Sequence, residues 1–238
     1  MILPTAISEQ TLAEMYYYAE FSAAAYCDPD HVPGTELTCK GNICPQVTAN
    51  SVTTIIEFAK YFSPSFLVPG MIKTDKTKKS TATSDATGIV ARDDSRQTIT
   101  VAFRGTHSLR NWWANIQLVW KDASVFCSDC KLHRGFYDAF TEAFPPILAS
   151  VTSLRAQYPS YKLVVTGHSF GGALATITAT EFRRLGYSVD LYTYGAPRVG
   201  NDGFSRFVSR RSGNYRVTHL SITPPPFCPS IAHYNNSS

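Results

Sequence analysis

Apolar residues recur at helical spacing over residues 9–26, at Leu12, Met15, Tyr16, Ala19, Phe21 and Ala23, and predict an amphipathic N-terminal helix. Residues 87–104 carry Ile89, Val90 and Ala91, a polar break at Asp93-Asp94, then Ile99, Val101 and Phe103. This pattern predicts a β-hairpin leading into the core. Residues 136–157 return to helical spacing but contain Pro145-Pro146. Proline removes an N–H and crowds the preceding turn, so the helix is expected to end or kink there. The short apolar run at 162–168 predicts a buried strand; a helix over 173–184, a strand over 189–194, a helix over 202–210 and a strand over 215–220 follow. Strand alternating with helix through the second half implies a mainly parallel central sheet covered on both faces. The earlier hairpin would add antiparallel strands at its side. The Thr/Lys/Ser-rich stretch 73–87 reads as an inserted surface loop.

Composition narrows the class. A chain of 238 residues with 44% hydrophobic and 17% charged residues can bury a full core as one domain. No apolar run approaches the ~20 residues that a membrane span needs. A net charge of +4 is mild, and no nucleic-acid partner is expected. The cluster Lys73, Lys76, Lys78 and Lys79 sits in the polar loop and reads as a solvated face, with contact to an anionic surface as the alternative.

The six cysteines say more. Cys39 and Cys44 bracket a short turn, and Cys127 and Cys130 form a C-x-x-C. Two close pairs without nearby histidines read as local disulfides of an oxidising, extracellular compartment. Zinc would need four ligands, and no second C-x-x-C exists. A redox site would want a following helix, whereas Lys131-Leu132-His133-Arg134-Gly135 follows. Cys27 and Cys228 remain; they pair with each other, or one lacks its partner. Met1-Ile2-Leu3-Pro4 has no basic segment and no long apolar segment, so a signal peptide is not expected within this sequence, and a trimmed form or an upstream start is the expectation.

Gly167-His168-Ser169-Phe170-Gly171 is G-x-S-x-G between a predicted strand and a predicted helix. In that frame a tight turn strains the serine and lifts its hydroxyl above the sheet, at a helix N-terminus that favours a developing oxyanion. Ser169 is therefore the candidate nucleophile of an acyl-transfer site. His168 is too close in sequence to reach round as a base and reads as a packing or hydrogen-bonding residue. A second oxyanion donor is also needed. The strand end Phe103-Arg104-Gly105-Thr106 is the natural source, since Gly105 permits close approach and Thr106 offers an N–H and a hydroxyl.

These motifs together resemble the filamentous-fungal (class 3) lipases of the α/β-hydrolase superfamily. The resemblance runs from about Gln10 to Thr218. It rests on Ser22-Ala-Ala-Ala-Tyr-Cys27, both cysteine pairs, Phe103-Arg-Gly-Thr106, Asn111-Trp112, Gly135-Phe136, Gly167-His-Ser-Phe-Gly-Gly-Ala173 and Tyr194-Gly-Ala-Pro-Arg-Val-Gly-Asn201. It implies an α/β-hydrolase fold: a mainly parallel central sheet, flanking helices and a short helical lid. It makes Ser169 the nucleophile and the N–H groups of Thr106 and Phe170 the oxyanion hole. It places the lid at Leu109, Arg110, Asn111, Trp112 and Trp113. That segment is amphipathic in its own right and could bury its tryptophans when closed and lay them on lipid when open. A core-packing helix is the plainer reading of two tryptophans, and the interleaved polar residues favour the lid.

The C-terminal part departs from the pattern and reads as missing or altered. The family order is Ser, Asp, His, but Ile222 stands where the aspartate is expected, within Ser221-Ile222-Thr223. After Ser169 the acids are Glu181, Asp190 and Asp202 and the histidines are His219 and His233. The division expected is one lipase-like domain over 1–220 and a divergent tail over 221–238, such as a shifted reading frame or a mis-spliced exon would leave. The function implied is a secreted carboxylic-ester hydrolase, foremost a triacylglycerol lipase working at lipid–water interfaces through an acyl-enzyme. It would use no metal and no organic cofactor, act on triacylglycerol or another lipid ester, and be a monomer. A chain without the triad aspartate and histidine is expected to be nearly inactive. The alternatives are a feruloyl or other esterase of the same family, against which the tryptophan lid argues, and a non-catalytic lipid-binding or defective lipase product.

Overall fold

Strong local preferences place the elements, and the computed structural model describes residues 7–27, 32–58, 86–106 and 119–218. Helix α1 (Glu9–Cys27) is followed by a short 3-10 turn (Lys40–Asn42), α2 (Pro45–Ala49) and strand β1 (Thr53–Phe58). The hairpin strands β2 (Gly88–Asp93) and β3 (Thr98–Phe103) come next, then the small β4 (Trp120–Asp122) and β5 (Lys131–His133). The long α3 (Arg134–Gln157) leads to β6 (Lys162–His168), α4 (Phe170–Arg184), β7 (Val189–Tyr194), α5 (Asp202–Ser209) and β8 (Asn214–Val217).

The main sheet has six strands in the order β1-β2-β3-β6-β7-β8. Its β1-β2-β3 side is antiparallel, and β3, β6, β7 and β8 run parallel. The expected mainly parallel α/β-hydrolase sheet with an antiparallel hairpin at its side is what forms. β4 and β5 make a separate two-stranded hairpin.

Alternation along the buried strands divides the interior in two. Ile99, Val101, Leu163, Val165 and Leu191 face α3 and α4, where Phe136, Ile147, Leu174, Ile177 and Phe182 are buried. Ile89, Ala102, Val164 and Tyr192 face α1, against Tyr17, Tyr18, Phe21, Ala24 and Ala25. Each large side chain so enclosed contributes about 1.5–3 kcal/mol relative to exposure.

Two expectations need correcting. The spacing read for α1 puts Leu12 and Tyr16 on its buried face, yet they are 41% and 63% exposed. Phe21 and Ala23 are buried as expected, and Tyr17 and Tyr18 are buried beside them; the rings of Tyr17, Tyr18 and Phe21 stack edge-on or flat with one another. Tyrosine buries a large ring if its hydroxyl finds a partner; Tyr17 donates to Asp93, and Tyr192 on the opposing strand donates to Glu14 at 2.9 Å. Of the two outcomes expected at Pro145-Pro146, an end to the helix does not occur, since α3 continues through both. A proline's own φ is helical and its cost lies in lost N–H bonds. Burial of Ala143, Ile147 and Val151 against the core on either side offsets that cost.

Candidate active site

The elbow begins where β6 leaves the sheet. Ser169 takes φ 55° and ψ −121°, a conformation that L side chains avoid and that costs about 1–3 kcal/mol. The surroundings that enforce it are tight. A Cβ on Gly167 would fall 2.3 Å from the Gly171 carbonyl oxygen, and one on Gly172 would fall 2.8 Å from the Ala196 Cβ. Only glycines let strand and helix approach this closely. The Ser169 N–H donates to the Tyr194 carbonyl at 2.9 Å, which anchors the turn on the neighbouring strand. The serine is 4% exposed and stands at the N-terminus of α4.

The parallel register of β3 and β6 brings the second candidate loop alongside. Phe103 pairs with Gly167, so Arg104-Gly105-Thr106 and His168-Ser169-Phe170 leave the sheet side by side. A Cβ on Gly171 would lie 2.4 Å from the Phe103 carbonyl oxygen, so the first turn of α4 rests directly on the end of β3. Thr106 is buried, and its hydroxyl has no hydrogen-bond partner among the described residues. The ring of Phe170 packs on Phe136 at 5.7 Å, and Phe136 on His133 at 4.7 Å.

His168 is the hydrogen-bonding residue anticipated: its Nδ1 lies 3.0 Å from the hydroxyl of Tyr26. Burial pushes its pKa below the ordinary histidine value. Tyr26, within Ser22-Ala-Ala-Ala-Tyr-Cys27, carries no local signal of a role at the site. Only the packing of α1 across the sheet brings it, 142 positions away in sequence, to the elbow.

The disulfides Cys39–Cys44 and Cys127–Cys130 are both formed, with Cα separations of 5.7 and 5.1 Å. The lid residues Leu109, Arg110, Asn111, Trp112 and Trp113 lie outside the described residues, as do the lysine cluster, His219, Ile222, Cys228 and His233. Asp190 lies in β7, Asp202 opens α5 and pairs with Arg198, and Glu181 pairs with Arg184 at 2.7 Å. Among the described residues no side chain hydrogen-bonds the Ser169 hydroxyl.

A parallel sheet with a strained serine between strand and helix defines a protein of the α/β-hydrolase class. The family model for lipase (class 3) matches residues 100–221. The secreted mono- and diacylglycerol lipase 1 of Fusarium solani is 34% identical over 98% of this chain, which spans 63% of that protein's length. The secreted mono- and diacylglycerol lipase A of Penicillium cyclopium is 31% identical over 95% of this chain and 68% of the relative. A crystal structure of a Penicillium cyclopium MDLA mutant superposes with a TM-score of 0.77 at 31% identity, over 92% of this chain and 75% of that one. The chain belongs to the class 3 lipase family.

Proposed function

We propose that the chain is a secreted, monomeric carboxylic-ester hydrolase acting on acylglycerols at lipid–water interfaces, with Ser169 as its nucleophile. The observation that carries this reading is the positive φ of Ser169 at the strand-to-helix turn, beside the loop 104–106. Relatives named secreted mono- and diacylglycerol lipases support an acylglycerol substrate and secretion. The two disulfides fit an extracellular setting. No helix among the described residues is long and apolar enough to cross a membrane.

In this reading Ser169 Oγ attacks the ester carbonyl, and the N–H groups of Thr106 and Phe170 hold the oxyanion. The tetrahedral intermediate collapses to an acyl-serine, and the glycerol oxygen leaves with the serine proton. Water then attacks the acyl carbon, releasing the fatty acid and restoring the hydroxyl. Carrying the proton requires a general base, and the downstream histidines of the chain are His219 and His233. Leu109, Arg110, Asn111, Trp112 and Trp113 act as the lid.

Ile222, standing where the family's aspartate is expected, favours a second reading, a non-catalytic lipid-binding protein. Hydrolysis of a soluble short-chain ester by the purified 238-residue protein separates the two. If His219 or His233 supplies the base, Ser169→Ala lowers turnover by ~10³-fold or more, down to what the oxyanion hole and binding alone supply; without a working base both proteins show only that residual rate. Equal rates well above that residual overturn the serine assignment. Lipid binding without turnover establishes the second reading.

A further inference from the structure

The hydroxyl of Tyr26 touches both loops of the proposed oxyanion site. It lies 3.0 Å from His168 Nδ1, and it sits against the bare backbone of Gly105, where a Cβ would fall 2.0 Å from its oxygen. Gly105 directly precedes Thr106, and His168 directly precedes Ser169. One phenol therefore grips the residue before a proposed oxyanion donor and the residue before the nucleophile. We infer that Tyr26 is a positioning residue that sets the spacing between Thr106 and the elbow; its catalytic consequence rests on the reading of Ser169 given above.

Three independent features support this. The approach is built for a bare backbone, since a Cβ at Gly105 would fall 2.0 Å from the Tyr26 oxygen and 2.9 Å from the His168 carbonyl oxygen. Burial also disfavours a charged His168, so the tie between its Nδ1 and the phenol is one between neutral groups. Finally, Tyr26 is buried near the C-terminal end of α1, whose Tyr17, Tyr18 and Phe21 are locked in the core, so the phenol projects from a rigid support. An oxyanion hole works only if its donors are fixed before the charge develops. Strand β3 and the elbow are joined by backbone pairing only as far as Phe103 and Gly167. Beyond that pair, Tyr26 supplies a tie that the sheet does not.

The experiment compares the full chain with Tyr26→Phe, which keeps the ring and removes the oxygen. Steady-state hydrolysis of a soluble short-chain ester and amide exchange at Gly105 are the readouts. Tyr26→Phe should lower kcat by about ten- to a hundredfold with KM changed less than about twofold, because misplaced donors cost transition-state stabilisation and little ground-state binding. Exchange at Gly105 should accelerate by about tenfold or more. His168→Leu should reproduce the kcat loss, and the double variant should lose little more than either single, as members of one linkage do. An unchanged kcat in Tyr26→Phe overturns the inference, and so does unchanged exchange at Gly105. Ser169→Ala runs in parallel: if it keeps full turnover, the catalytic reading falls, while the exchange at Gly105 still decides whether the tie exists.

Discussion

The amide of Ser169 donates to the carbonyl of Tyr194 at 2.9 Å, so the elbow is fastened to the neighbouring strand as well as to its own. The register of β6 against β7 sets this up by placing His168 opposite Tyr194. The Tyr194 hydroxyl in turn donates to the Met15 carbonyl on α1. A strained residue persists only where its surroundings over-determine it. Here a strand, a helix start and, through Tyr194, an N-terminal helix converge on one serine.

Strain at Ser169 should be measurable by relieving it. Ser169→Gly can adopt φ 55° without steric cost, whereas Ser169→Ala cannot. The glycine variant should be more stable than the alanine variant by about 1 kcal/mol, after allowing for glycine's greater entropy when unfolded. Denaturant titration of the two proteins checks this, and equal midpoints would refute the strain.

Gly171→Ala should pry α4 off the end of β3. The new Cβ would meet the Phe103 carbonyl oxygen at 2.4 Å and the Arg104 carbonyl oxygen at 2.8 Å, backbone atoms that cannot rotate away. Overpacking of this kind costs about 1–3 kcal/mol. The expected outcome is that loss of stability together with loss of ester turnover, read by thermal melts and kinetics.

The lowered pKa of His168 predicts an acid-side loss of stability. A histidine held neutral in the folded state binds its proton more readily when unfolded, so protonation favours unfolding. The contribution is full above the ordinary value of about 6.5 and is lost as pH falls from there toward the depressed folded value. Unfolding free energies between pH 7.5 and 5 should show this slope, and His168→Gln should flatten it.

Tyr17→Phe should destabilise the fold by about 1–3 kcal/mol, because buried Asp93 loses a donor. Burial alone would raise the Asp93 carboxyl. Hydrogen bonds from Ser95, Tyr17, Arg96 and Asn50 outweigh it and hold the group below the usual carboxylate range. That stability is present above the unfolded carboxylate pKa and is lost as pH falls through the folded one. In the variant, acid unfolding should therefore begin at higher pH; an unshifted acid transition would assign the pKa to the other three donors.

Replacing Trp112 and Trp113 by alanine should weaken partitioning onto oil–water interfaces while leaving hydrolysis of a soluble ester within about twofold. Each tryptophan offers a large, rigid apolar area with a polar edge suited to such a boundary. Vesicle co-sedimentation is the measurement, and unchanged partitioning would remove the lid assignment.

By itself the sequence determined the elements whose cause is local or periodic. The apolar run at 162–168, the hairpin about Asp93-Asp94 and the G-x-S-x-G glycines depend on side-chain period, turn chemistry and lack of a Cβ, all readable along the chain. The close cysteine pairs were legible for the same reason, since a separation of three or five residues already puts the sulfurs within reach. Tertiary structure alone decided which face of α1 is buried, because a tyrosine goes inside only if the fold brings its hydroxyl a partner such as Asp93, 76 positions away. It decided that α3 survives Pro145-Pro146, since the core on both sides offsets lost N–H bonds that a local rule counts in full. It also decided the place of Tyr26, whose hydroxyl meets Gly105 and His168 only after α1 has packed across four strands. Periodicity reports how one segment meets an apolar surface; it carries no information about which distant segment supplies the partner for a buried polar group.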